Sequence, residues 1–300
     1  MSWQKRHGIM LCQPLDEHNL DRNFKLAKKM LVQPKLDGMR AWVDWVDGEP
    51  VLVSSQGHTI DGLPHINLAL KELRRLCNNH QENFDGEIYS HGLSFEDIIS
   101  RAKRTTERHP DYATLQYHIF DYKAALPQGI RTDYLEKLKA LWDEKAEGDL
   151  HFALNFVPTI AATRGQISEY LDRFVRDGYE GIIVRNPLAG YVETRPFTIL
   201  KWKPSKKDWY RIEAVEEAIS EAGTPLGRVG AFVCCDRYGN TFKCGPGLGA
   251  THFVASELWQ KREELIGQYA EVYYQNLTTK GVPRFGKFSL AITPSKTSGE

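Results

Sequence analysis

Lys35 stands two residues before Asp37-Gly38 in the stretch QPKLDGMR, at what reads as the end of a strand. A lysine so placed is either a solvated surface charge or an amine held ready to attack an electrophile. Further along, FDGEIYS puts Asp85 and Glu87 on one face of a strand, because alternate residues point the same way. YHIFDY sets Phe120 at the end of another strand, and GYEGIIVR starts a third with Glu180. ILKWKP puts Lys201 and Lys203 on one face of a fourth. Carboxylates, an aromatic ring and three lysines at strand positions suit one pocket for a metal-bound polyphosphate and a flat base. Singly, each has a plainer reading. Glu87 or Glu180 alone reads as a strand-end charge, Phe120 as core, and the lysine pair as the solvated face of an edge strand. Their joint order is what argues for a site.

The elements that must position these residues are legible as patterns. NLALKELRRL (67–76), DYLEKLKALW (133–142) and QISEYLDRFVRD (166–177) carry apolar residues at helical spacing, and Gly178 reads as a C-cap of the third. Short apolar runs at 41–46, 51–54, 117–121 and 181–185 read as strands. This interleaving is α+β, without a regular βαβ repeat. After KWKPSKKDWYR (201–211) the pattern turns to strands at 210–219, 230–236, 240–243 and 269–275, with a turn at Tyr238-Gly239-Asn240 and one helix near 255–266. Short strands with one helix suit a small closed barrel such as an OB-fold. The boundary falls near Pro204, which gives domains 1–204 and 205–300 and a short tail at 296–300.

Composition narrows the class. With 41% hydrophobic and 26% charged residues the chain can bury a real core. It lacks the ~20 consecutive apolar residues of a membrane span, and its opening residues lack a secretory apolar run. The five cysteines are irregularly spaced, and Cys234-Cys235 adjacency fits neither a zinc pair nor a disulfide framework. A reduced, cytoplasmic setting and a monomer are the expectation. Net charge is zero, with +1 from Ser205 onward and −1 before it, so any polyanion must be met by local patches. RAKRTTER (101–108) and the pair Lys206-Lys207 are candidates, and the solvated-surface reading competes for both.

Taken in order, K-x-D-G-x-R, D-G-E, an aromatic before Asp, E-G-I-I-V-R and L-K-x-K resemble the covalent nucleotidyltransferases: ATP-dependent DNA ligases, RNA ligases and mRNA capping enzymes. The sequence is most similar to the small ATP-dependent DNA ligases of phages and bacteria. That resemblance implies an ATP-grasp-like nucleotidyltransferase domain followed by an OB-fold. It makes Lys35 the nucleophile that takes AMP from ATP, with its pKa lowered by Lys201, Lys203, a divalent metal and partial desolvation. It implies that Gln33 meets the adenine edge, Arg40 the ribose, and Phe120 the adenine face. Glu87 would serve ribose or a metal-bound water. Glu180 would hold Mg²⁺ or Mn²⁺, and Lys201 and Lys203 would face the transferring phosphate. In GVPRFGKF, Arg284 and Lys287 would face pyrophosphate. The implied substrate is nicked duplex DNA in a bacterial or phage-infected cell. An RNA ligase or a capping guanylyltransferase is the alternative enzyme, and a non-catalytic DNA-binding module is the alternative class. An NAD-dependent ligase is disfavoured by the 34 residues before Lys35 and the lack of a four-cysteine zinc site. One departure is plain: the family commonly has Ser-Arg-x-Gly where this chain has Ser54-Ser55-Gln56-Gly57. Gln56 or a basic residue elsewhere must then take the role of that arginine, or the contact is weaker.

Overall fold

The structure, a computed structural model, describes residues 8–78, 80–103, 107–247, 249–278 and 280–295. It divides into two compact units, meeting in sequence at Lys203 and Pro204.

The first unit carries two five-stranded sheets. One has the order β1 (Gln13–Pro14), β10 (Ile199–Trp202), β9 (Gly181–Arg185), β2 (Met30–Lys35) and β8 (Ile160–Ala162). The other runs β4 (Glu49–Ser54), β3 (Met39–Val46), β5 (Phe84–Tyr89), β6 (Gln116–Tyr122) and β7 (Leu154–Phe156). Helices α1 (Glu17–Asn23), α2 (Pro64–Leu76), α3 (Phe95–Ala102), α4 (Gln128–Lys145), α5 (Gly148–Ala153) and α6 (Ile167–Arg176) complete the unit.

Burial explains the patterning. Strand β9 is covered on both faces, Ile182 and Val184 in one cluster and Ile183 against Met10, Tyr191 and Ile199, so GIIVR is an apolar run rather than an alternation. In β3 the alternation survives: Ala41 and Val43 enter the core beneath the second sheet, and Arg40 and Trp42 leave from the opposite face. Helix α2 covers that core with Ile66, Ala69, Leu70 and Leu73, at the i, i+3, i+4, i+7 spacing of one helix stripe. Helix α6 does the same for the first sheet with Ile167, Leu171 and Phe174. Gly178 (φ 90°) follows it and donates to Val175 O, while Tyr179 donates to Phe174 O. The helix ends at a fixed place, three residues before Glu180.

The second unit is a closed barrel of order β11 (Lys206–Ile219), β12 (Pro225–Cys235), β13 (Thr241–Pro246), β15 (Lys287–Thr293) and β14 (Tyr269–Tyr274). All pairings are antiparallel except β13 with β15. Closure gives every strand of this sheet two neighbours. Phe232 and Phe288 stack at 4.0 Å in its core, beside Ile212, Val272 and Cys244. Two expectations change here. The single helix near 255–266 is two, α7 (His252–Gln260) and α8 (Arg262–Leu265), broken at Lys261. Lys287 opens a strand that the sequence pattern did not reveal. The expected tail at 296–300 lies outside the described residues.

Candidate active site

Three of the residues quoted from the sequence meet at the end of β2. Lys35 Nζ lies 2.6 Å from Glu180 Oε2, and Lys203 Nζ donates to Glu180 Oε1. The carboxylate sits between two ammonium groups because the backbone places it there: Glu180 N–H donates to Lys35 O at 3.0 Å, at the edge of the β2–β9 pairing. Gly181 has φ 154°, and a Cβ on it would run into the Trp202 carbonyl oxygen. Only glycine lets the chain turn from Glu180 into β9 while β10 passes this close. Lys203 lies one residue past the end of β10, so it shares a face with Lys201 only through the strand's direction.

Charge in this cluster differs from expectation. Burial pushes the Lys35 amine toward its neutral form, but Glu180 and then Glu87 outweigh burial, and its pKa is raised rather than lowered. Burial lowers Lys203 and Lys201, with Lys35 adding repulsion to both. Glu180 is held below the usual carboxylate range: burial opposes ionisation, but Lys35 and Lys203 together favour the anion. In this state Lys35 is a paired ammonium ion, and the expected lowering by cations is reversed because a carboxylate is closer than they are.

The second cluster is built on the other sheet. Arg40 binds Asp85 through both ends of its fork, Nε to Oδ1 at 3.0 Å and Nη2 to Oδ2 at 2.6 Å, and Nη2 also donates to Met10 O. Tyr191 OH donates to Asp85 Oδ2 at 2.7 Å and accepts from Met10 N–H. Arg40 is thereby pinned, with a 17%-exposed side chain available to a ligand. Glu87 lies opposite Arg40 in the β3–β5 register. Burial raises its pKa to about 7, against the pull of Lys35 and Arg40. Gly38 is required here as well, since a Cβ on it would meet the Ile88 carbonyl oxygen and the Glu87 side chain. The motif glycines let two backbones close on the site.

A third set was not foreseen as a unit. Asp121 accepts from Arg131 Nε at 2.8 Å and from Arg185 Nη1 at 2.7 Å. Gln128 Oε1 accepts from both arginines, and Arg185 Nε donates to Gln33 Oε1 at 2.8 Å. The amide nitrogen of Gln33 donates to Phe120 O and Thr159 Oγ1. All five of these polar residues are buried, and they tie β6, α4, β2 and β9 together. Phe120 lies half-buried beside this set, with the Arg40 and Arg185 guanidinium carbons 5.2 and 5.5 Å from its ring centre. Gln33 is thereby fixed in place: its amide nitrogen is engaged twice, while its carbonyl oxygen accepts from Arg185 and keeps a second lone pair that a base N–H could use. Arg185 and Asp121 were quoted inside EGIIVR and YHIFDY without a role. Tyr191 and Thr159 lie in irregular segments that carry no periodic signal.

The donors fit a hard cation. Glu180 and Glu87 offer carboxylate oxygens only, and among the described residues no three His, Cys, Asp or Glu gather. One or two carboxylates with water and phosphate oxygens is how Mg²⁺ is usually held.

The remaining candidates lie on other elements. Arg284 and Lys287 belong to the barrel unit. There the Arg284 guanidinium lies 5.1 Å from the Phe285 ring, Arg284 N–H donates to Asn276 O, and Lys287 is exposed. Ser55 and Gln56 fall in the turn after β4, closed by Gly57 N–H to Ser54 O. Of the basic stretch 101–108, residue Arg104 lies outside the described residues, and Arg101 Nη1 donates to Thr114 Oγ1. Lys207 pairs with Glu271 at 2.7 Å.

Residues 9–203 match the family described as ATP dependent DNA ligase domain, and residues 222–290 match the DNA ligase OB-like domain. A DNA ligase of Haemophilus influenzae is 24% identical over 204 residues, covering 68% of this chain and 69% of that protein. A DNA ligase of African swine fever virus is 26% identical over 268 residues, which is 81% of this chain and 61% of the viral protein. Among solved structures, a Lig E DNA ligase superposes with a TM-score of 0.70 at 21% identity, covering 94% of this chain and 98% of that one. The ATP-dependent DNA ligase of bacteriophage T7, solved with ATP, gives 0.56 at 15% identity, covering 94% and 97%. The structural likenesses speak for the fold. By the match over residues 9–203, the chain belongs to the ATP-dependent DNA ligase family.

Proposed function

We propose that this member of the ATP-dependent DNA ligase family seals 5′-phosphate/3′-hydroxyl nicks in duplex DNA through a lysyl-AMP intermediate on Lys35. It works as a monomer, with 1–204 as the adenylation domain and 205–300 as the OB domain. The observation that carries the reading is the shared carboxylate: Glu180 lies between Lys35 and Lys203 at the end of β2. A lone surface lysine has no need of such a partner. Here Glu180 fixes where the Lys35 amine sits, and it must give up its ion pair before that amine can lose a proton and attack.

In the reaction, Lys35 Nζ would bond to the α-phosphorus of ATP as the bond to the pyrophosphate oxygen breaks. The amine proton passes to solvent, and pyrophosphate leaves. A divalent cation at Glu180 and Glu87 would supply charge neutralisation on the phosphates. Lys201 and Lys203 face the same developing charge, which is the main task of protein groups in phosphoryl transfer. Phe120 would offer its face to the base, while Asp121 and Arg185 hold the strands on either side of it. The AMP then passes to the nick 5′-phosphate, and attack by the 3′-hydroxyl forms the phosphodiester and releases AMP. Arg284 and Lys287 would face pyrophosphate during the first step.

The test is incubation with α-labelled ATP or GTP and Mg²⁺, followed by nicked DNA or nicked RNA. Label on the protein from ATP and its transfer to nicked DNA with sealing are the expected results. Labelling from GTP, or sealing confined to RNA, would overturn the reading in favour of a capping guanylyltransferase or an RNA ligase. No covalent label at all would leave a DNA-binding module.

A further inference from the structure

A chain of zero net charge must meet a polyanion with local patches, and the first unit has one away from the site. Arg22, in the last turn of α1, and Lys25, Lys28 and Lys29, in the loop leading to β2, are all exposed. Among the described residues none of the four has an ion pair. Many other exposed cations of this unit are paired: Lys71 with Glu49, Arg75 with Glu72, and Lys139 with Asp143. Asp21, the acid adjacent to Arg22, is taken by Arg164. Four unpaired positive charges within eight residues repel one another, and a row of phosphates would relieve that repulsion. Leu26, 84% exposed, stands among them.

We propose that the segment Arg22 to Lys29 tracks the phosphates of the duplex flanking the nick, an inference that rests on the DNA-ligase reading above. Its distance from the chemistry follows from the strand it precedes. Lys29 adjoins the start of β2 and Lys35 ends it, so six residues of strand at about 3.3 Å each separate the loop from the nucleophile by roughly 20 Å. Duplex DNA rises 3.4 Å per base pair, so the contacts fall within about six base pairs of the nick. Leu26 amid lysines would also suit an anionic lipid surface. The nucleic acid is favoured because the loop leads directly into the strand that carries Lys35.

The experiment compares the full chain with its Lys25→Gln/Lys28→Gln/Lys29→Gln variant. Each phosphate contact adds about 0.9 to the slope of log affinity against log salt, so the variant's slope on nicked duplex should shrink by about 2.7. Sealing near physiological salt should fall about tenfold or more, while adenylation by ATP stays at the wild-type rate and reports correct folding. An unchanged salt slope with unchanged sealing overturns the inference. So does a variant that loses binding to phosphatidylserine vesicles but not to DNA. Failure of the wild type itself to take AMP from ATP would instead sink the ligase reading.

Discussion

The Lys35–Glu180–Lys203 cluster and the Asp121–Arg131–Arg185 network are both built from cations around one carboxylate, yet they are made for opposite ends. In the first, Glu180 has two ammonium partners on flexible, partly exposed stems. In the second, Asp121 has two guanidinium forks, both backed by Gln128, with every member buried. Arginine's planar fork, always charged, suits a contact that must not change, and lysine's point charge can move and lose its proton. The choice of cation separates reactive from structural carboxylates here. Substitution should separate them too.

The largest effect on chemistry should come from Glu180→Ala. Removing the partner that places the Lys35 amine should slow adenylation about a thousandfold or more, comparable to losing one strong transition-state contact. Extra Mg²⁺ should restore little of it, while the unfolding free energy from urea titration falls less than for Asp121→Ala, because Lys35 and Lys203 keep 22% and 16% of their side chains exposed and can turn to solvent. A large loss of stability instead would move Glu180 into the structural class.

Asp121→Ala should show the reverse. It leaves two buried guanidinium groups facing each other, a kind of change that costs about 3–5 kcal/mol. Urea unfolding of the two variants side by side would display the contrast. If Asp121→Ala were stable but inactive, the network would belong to the chemistry.

Phe120 lies beside the Asp121 network, with Arg40 and Arg185 near its ring, and its substitution should give the smallest change. Phe120→Ala should raise the apparent KM for ATP about tenfold with kcat little altered, since stacking binds ground and transition states alike. Phe120→Leu should lie between. If neither variant changes ATP binding, the ring is packing only.

The sequence made the first region readable and hid most of the second, and the reason is physical. Gly38 and Gly181 are needed wherever backbones close on the site, so K-x-D-G and E-G-I-I are local signatures of a three-dimensional demand. The long helices and central strands carried their own periodicity, and the barrel was readable from its strand-rich run. Pairing across distance was not readable. Tyr191 reaches Asp85 over 106 residues from an irregular loop. Arg185 ends an apolar strand whose pattern says only that it is buried. The Lys35 amine is raised rather than lowered without metal for the same cause: the sequence shows lysines nearby but not that Glu180 lies against the amine. Lys287 was missed as a strand start because its strand pairs partly in parallel with β13, far from any hairpin signal.

The central claim is that Lys35, and neither Lys201 nor Lys203, becomes covalently bound to AMP. Its most direct test is to incubate the full chain with ATP and Mg²⁺, digest it, and locate the adenylated residue by tandem mass spectrometry. The account predicts a single modified lysine at position 35, absent when Lys35→Ala is treated in the same way. Adduct on Lys201 or Lys203, or adduct persisting in the Lys35→Ala protein, would contradict it.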